Sequence, residues 1–258
     1  MPLQVIRMAA TLAPHGALGG ALVDAAILGF YFMLRGGEYL RTSTLSSHPI
    51  RLCQVQFKTH TGPALWAWQA PLPSLLECSY GSITFVTQKN GHKGAAILHH
   101  VSGDPLLCPV RALQRRVQHL RSNGAPSDTP LLATLDSSSW VLPTSTQLTT
   151  LLRSAVSHLP NLSYLPSDVS PRSLRSGGAM ALLLAGEDKM VIQMVGRWKS
   201  DALFTYLHST ALPLVKRHAF QMLHHGKFTI MNTNLTLQQA TDILGDEFIH
   251  DDPPSEVA

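Results

Sequence analysis

SPRSLRSGGAMALLLAGEDKMVIQMVGRWKSDALFTY, residues 170–206, is the stretch whose reading decides the fold. Pro171 suits the first turn of a helix, where its missing N–H is not needed. The apolar run after it is interrupted by Gly186-Glu187-Asp188, and a second apolar run closes at Gly196. The pattern is helix, turn, helix. Arg172 and Arg175 lie at the first helix start, Arg197 and Trp198 follow the second helix, and Tyr206 comes nine residues after Arg197. A planar guanidinium can grip two phosphate oxygens at once, and a phenolic oxygen held near that phosphate can attack phosphorus. Two arginine clusters ahead of a lone tyrosine therefore point to phosphate chemistry.

Composition sets the outer bounds. A chain of 258 residues that is 45% hydrophobic and 14% charged buries a real core, which excludes a disordered protein. Its net charge is only +4, so any site for a polyanion has to concentrate its cations locally. Cys53, Cys78 and Cys108 are odd in number, far apart and without ligand spacing. They favour neither a disulfide framework nor a zinc site, and they suit a reducing, intracellular compartment. The apolar run from Ala17 to Leu34 is about as long as a membrane span, but it carries Asp24 at mid-run and several glycines, with Arg35 next. It reads as a buried core helix. Pro14 and His15 break the apolar stretch after Arg7, so no signal peptide is expected.

Along the rest of the chain, Val23 to Leu34 reads as helix, with Gly36-Gly37 marking its end or a tight bend. Strands are expected over Leu52 to Phe57, Ile83 to Lys89 and Ala95 to Val101, and Asn90-Gly91 forms a hairpin tip flanked by Lys89 and Lys93. Thr59 to Gly81, rich in proline, reads as a long connection. A helix from Arg111 to Arg121 carries Arg111, Arg115, Arg116 and Arg121, which read first as a solvated face; another helix covers Ser145 to Leu159. Thr236 to Leu244 forms a short amphipathic helix ahead of an acidic end. The fold class is α+β, mainly α: a helical domain over residues 1–228 with a small three-stranded antiparallel sheet, then a C-terminal helix and acidic tail over residues 229–258.

Leu34-Arg35-Gly36-Gly37-Glu38, a hairpin Lys89, Pro171-Arg172-Ser173-Leu174-Arg175, Gly196-Arg197-Trp198 and Tyr206 occur in that order. This order resembles the catalytic domain of tyrosine recombinases, the family of phage-type integrases and of recombinases from eukaryotic mobile elements. The likeness covers residues 15–225. It implies that Arg35 and Arg175 clamp the non-bridging oxygens of a scissile DNA phosphate, and that Lys89, with Lys93 as second choice, protonates the departing 5′ oxygen. Tyr206 would be the nucleophile that forms a 3′-phosphotyrosyl intermediate, with no metal or cofactor. Glu38 would orient its loop or pair with a basic residue. Arg172 stands where the family usually has histidine and cannot act as a base at neutral pH. The third position falls on Arg197 by counting and on Trp198 by chemistry.

The first arginine comes so early that the family's N-terminal core-binding domain is expected to be missing. The implied partners are double-stranded DNA and further copies of the chain, as a tetramer on paired sites, with no membrane. The implied location is the nucleus in a eukaryote and the cytoplasm or nucleoid otherwise. Three other readings stay open: a helix-turn-helix regulator without chemistry, a catalytically dead protein derived from a mobile element, and a type IB topoisomerase. The remaining histidines lack metal-ligand spacing and read as structural.

Overall fold

The structure is a computed structural model that describes residues 3–42, 48–86, 94–160, 162 and 164–198. The chain divides into a unit of residues 1–208 and a second of residues 209–258. The second unit lies wholly outside the described residues, as do the boundary expected at residue 228 and the helix expected over Thr236 to Leu244.

Helix α2, Ala17–Tyr31, is the centre of the fold. Its sequence is apolar on every side, so it can only be a buried helix, and it packs against α1 (Leu3–Leu12), α5 (Pro109–Ser122), α6 (Ser145–Ser157) and α7 (Pro171–Ala185). No helix among the described residues is long and apolar enough to cross a membrane. Two glycines let α2 and α7 approach closely. A Cβ on Gly178 would sit 2.2 Å from the Phe30 carbonyl oxygen, and one on Gly29 would meet the Tyr39 hydroxyl at 2.9 Å and Leu174 Cδ1 at 3.0 Å.

Asp24, mid-way along α2, is 2% exposed and accepts two bonds from Arg115, at 2.9 Å from Nε and 2.6 Å from Nη2. Burial pushes its carboxyl from 3.8 up to about 6, against the pull of Arg115.

A four-stranded antiparallel sheet closes one side, in the order β2 (Leu65–Trp66), β1 (Val55–Lys58), β3 (Tyr80–Phe85), β4 (Ala95–His100). The three expected strands are present, and Leu65–Trp66 adds a short edge strand from within the proline-rich connection. Leu52–Gln54, expected as strand, is a 3-10 turn, because the Gln54 side chain folds back onto the Arg51 backbone N–H at 2.7 Å. The strand expected to run to Lys89 is described to Phe85, and Asn90-Gly91 lies outside the described residues. A two-stranded hairpin, β5 (Thr134–Asp136) with β6 (Ser139–Val141), packs near α2.

The basic helix α5 corrects a sequence expectation in part. Arg111 and Arg115 lie on an exposed face as expected, whereas Arg116 is buried and Arg121 half-buried, and all four are bonded to backbone or carboxylate. Arg111 donates to the Leu76 carbonyl at 3.1 Å, Arg115 to Asp24, Arg116 to the Ala133 carbonyl at 2.6 Å, and Arg121 to the carbonyls of Ala67 and Ala70. Gln114, 2% exposed, adds bonds to the carbonyls of Leu75 at 2.8 Å and Cys78 at 3.2 Å. The bonds from Arg111, Gln114 and Arg121 fasten the connection of residues 59–81, which includes the short helix α4 (Leu72–Leu76), to the core. Helix-to-coil carbonyls that no ladder satisfies are taken up by long cationic side chains.

Two predictions come from α2. Gly178→Ala forces α7 off the Phe30 carbonyl and should lower stability by about 1–3 kcal/mol, read from the urea midpoint. For Asp24, the folded chain holds the proton more tightly than the unfolded chain. Its contribution is therefore complete below pH 3.8, the carboxyl's ordinary value, and is lost as pH rises through about 6. Asp24→Asn should remove that fall, on the order of 3 kcal/mol, from the midpoint profile between about pH 4 and pH 7. Parallel profiles for parent and variant would show that Arg115 keeps the carboxylate ionised throughout.

Candidate phosphate-binding site

Three helix ends build this site. Helix α2 ends in a left-handed residue, Met33 at φ 47°, with bonds from the N–H of Met33 to the Phe30 carbonyl and of Leu34 to the Gly29 carbonyl. Helix α7 begins on Ser170, whose N–H is met by Ser173 Oγ at 3.2 Å, and ends at Gly186 with φ 90°. Helix α8, Lys189–Gly196, is capped by Asp188, which accepts from the Met190 N–H at 2.6 Å, and it ends in left-handed Arg197 at φ 58°. All three ends use the same paired closing bonds, which favour glycine in the left-handed place. Two of them use a large residue instead: Met33 gives its carbonyl to the site and Arg197 its guanidinium.

Met33 turns its carbonyl oxygen toward α7 and α8, where it accepts from Arg175 Nη1 and from Arg197 Nη2, the latter at 3.4 Å. Arg175 also donates to the Gly196 carbonyl at 2.5 Å, and its guanidinium lies 4.1 Å from the Trp198 ring centroid. Arg197 donates to the Phe32 carbonyl at 3.3 Å and to Glu38 Oε2 at 2.8 Å, and its guanidinium lies 3.6 Å from the Phe85 ring centroid. Burial brings the Arg197 guanidinium down to about 10, with Glu38 pulling the other way, so it stays charged at neutral pH.

Glu38 sits in α3, Gly36–Tyr39, a single turn that Gly36 and Gly37 open, where the sequence marks either the end of the preceding helix or a tight bend. Its carboxylate accepts from the Arg35 backbone N–H at 2.8 Å, from Arg35 Nη1 at 3.2 Å and from Arg197. The expectation that Glu38 pairs with a basic residue is met twice over. A cavity of about 400 Å³ adjoins this carboxylate, lined by His48, Arg51, Cys53 and Phe85 among others.

The structure thus joins Arg35, Glu38, Arg175, Arg197 and Trp198 into one connected network drawn from α3, α7 and the end of α8. Arg35 keeps 26% of its side chain exposed, while the Arg197 side chain keeps 2%. Arg175 is 3% exposed, and Trp198 is half-buried over it. Arg172, one turn before Arg175 on α7, is exposed. Lys89, Lys93 and Tyr206 lie outside the described residues. Sequence reading missed the Met33 carbonyl and the Phe85 ring. A backbone acceptor carries no residue signature, and Phe85 reads as one more core position of a strand. Gly196 is likewise needed for space, since a Cβ there would fall 1.6 Å from Trp198 Cζ3.

Glu38→Gln leaves the buried Arg197 without its counter-charge and should cost on the order of 3 kcal/mol in urea denaturation. Adding Arg197→Met, which replaces the buried cation by an apolar chain, should restore part of that loss. A single variant as stable as the parent would show that the carbonyls of Phe32 and Met33 suffice to hold the cation.

No known family model matches the chain, and no curated protein matches it. Among solved structures, the crystal structure of XerA recombinase matches with a TM-score of 0.51 at 17% identity, over 88% of this chain and 64% of that one. The protein has a distantly recombinase-like, mainly helical α+β fold.

Proposed function

We propose that the protein breaks and rejoins DNA strands through a 3′-phosphotyrosyl intermediate. The observation that carries this reading is the network around Glu38 and the Met33 carbonyl, which gathers Arg35, Arg175, Arg197 and Trp198 in a recombinase-like fold. In this scheme Arg35 and Arg175 meet the non-bridging oxygens of the phosphate, where negative charge builds in the transition state. Trp198, half-buried on Arg175, takes the third position, and Arg197 holds Glu38 from below. Tyr206 Oη attacks phosphorus and forms the ester as the bond to the 5′ oxygen breaks, and Lys89 gives that oxygen a proton. The reverse attack by a 5′ hydroxyl rejoins the strand, so the bond energy is conserved and no metal or cofactor is required. Double-stranded DNA is the substrate, a tetramer on paired sites the assembly, and the nucleus of a eukaryotic cell or the nucleoid otherwise the setting.

A second reading has its own support. Arg175 and Arg197 are buried and already bonded to backbone carbonyls, and Arg172 offers no base. A binding protein of the same fold, derived from a mobile element and without chemistry, would keep this framework for stability alone.

Incubation with nicked duplexes, on which the cut strand cannot be rejoined, separates the two. Catalysis predicts a covalent protein–DNA adduct that survives denaturation, forms in chelator and disappears in Tyr206→Phe. Arg35→Ala should slow adduct formation about a hundred- to a thousand-fold, and Arg35→Lys should not rescue it. Binding without any adduct across a varied pool of duplexes would instead establish the second reading.

A further inference from the structure

The outer face of the four-stranded sheet has no part in the site above. Residues paired across antiparallel strands share a face, so Lys58, Tyr80 and His100 form one row, and Trp66, Gln56, Ser82 and Leu98 form the next. The opposite face, with Phe57, Ile83 and Phe85, is buried in the core. Along β4 the outward residues Ala96, Leu98 and His100 are exposed, and Leu98 is 54% exposed. Trp66 is 41% exposed at the edge.

The chemistry of this face is specific. Tyr80 stands between two imidazoles. His60 lies over it with ring centroids 6.3 Å apart and planes 25° apart, its Nδ1 3.3 Å from the hydroxyl, and His100 meets it edge-on at 4.6 Å. Lys58 is exposed and takes part in no ion pair among the described residues. The two rows contain no carboxylate.

We infer that this face binds single-stranded nucleic acid, independently of the Tyr206 reading. A cation without a carboxylate neighbour selects an anionic partner, and the exposed Trp66 indole and the exposed imidazoles of His60 and His100 beside Tyr80 offer ring faces for stacking. A duplex presents phosphates but hides the faces of its bases, whereas an unpaired strand presents both. Trp66 and the row of Tyr80 and His100 are one residue row apart, with Lys58 between Trp66 and Tyr80, so successive bases stack on the indole and an imidazole while the ammonium meets the linking phosphate. An acidic peptide would satisfy Lys58 and leave the rings without π partners.

The test is anisotropy of labelled oligothymidylate with the full chain at low salt. Trp66→Ala and Lys58→Glu should each weaken binding about tenfold. Both face substitutions are at exposed positions, and matched thermal melts establish that they fold. Absence of binding by the parent, parent-like binding by both variants, or equal competition by an acidic peptide of the same charge would each overturn the inference. Covalent trapping on nicked duplex should be unchanged in the two face variants, so it reports on the Tyr206 reading separately. Its loss in them would show that the two surfaces are one.

Discussion

Two guanidinium groups share the carbonyl oxygen of Met33, and the arrangement of the site depends on where that oxygen points. Met33 directs it by closing α2 in the left-handed region, a conformation that costs a residue with a Cβ about 1–2 kcal/mol. Glycine would avoid that cost. Yet the Met33 side chain is 1% exposed and forms a small cluster with Ala179 of α7 and Ile192 of α8, and burying such a side chain contributes about 1.5–3 kcal/mol. The charged donors on its carbonyl add about 1.5–3 kcal/mol each. Packing and hydrogen bonding therefore outweigh the strain, and one residue fixes both the end of α2 and the height of α7 and α8 against it.

Arg197 repeats this solution at the end of α8. Its left-handed backbone returns the side chain under the site, to Glu38 and to the carbonyls of Phe32 and Met33, where the Phe85 ring covers it. Glu38 in turn holds Arg35, so an exposed cation is oriented by a carboxylate that is itself fixed by a buried cation. The network is a chain of supports running outward from backbone, through Arg197 and Glu38, to Arg35. Strained backbone concentrated at a cluster of charged side chains is the usual mark of a site whose geometry matters more than its local stability.

The helices were legible because their signals are local. Pro171 and the Gly186-Glu187-Asp188 break place α7 and α8, and the apolar run after Ala17 places α2 as a buried helix, whereas the pairing of Asp24 with Arg115 is seen only in the structure. The three main strands could be read from β-rich runs, while Leu65–Trp66 could not, since two residues carry no period and their strand character comes from pairing with Gln56 and Phe57. Arg35, Glu38, Arg175 and Trp198 stood out by order and type. Their connection through Met33 did not, because a left-handed methionine and its carbonyl are consequences of tertiary packing. Gly36-Gly37 left two readings open, and the tertiary structure decides between them: the turn that frees α2 comes earlier, at Met33, and the glycines open α3.

The arginines of α5 and those of the site look alike in the sequence and do similar physical work. Arg111, Arg116, Arg121, Arg153, Arg175 and Arg197 all donate to backbone carbonyls that no helix or sheet partner reaches. A chain with few charged residues and a proline-rich connection has many such carbonyls to satisfy, and arginine, with five donors and an apolar stem, reaches them without leaving its charge in an apolar void. The net charge of +4 therefore overstates what the surface can offer a polyanion. Cations committed to carbonyls still contribute their field, but they meet a phosphate only with the donors that those carbonyls leave over. Among the described residues, Arg172 at the site and Lys58 on the sheet are exposed, and Arg35 is partly so.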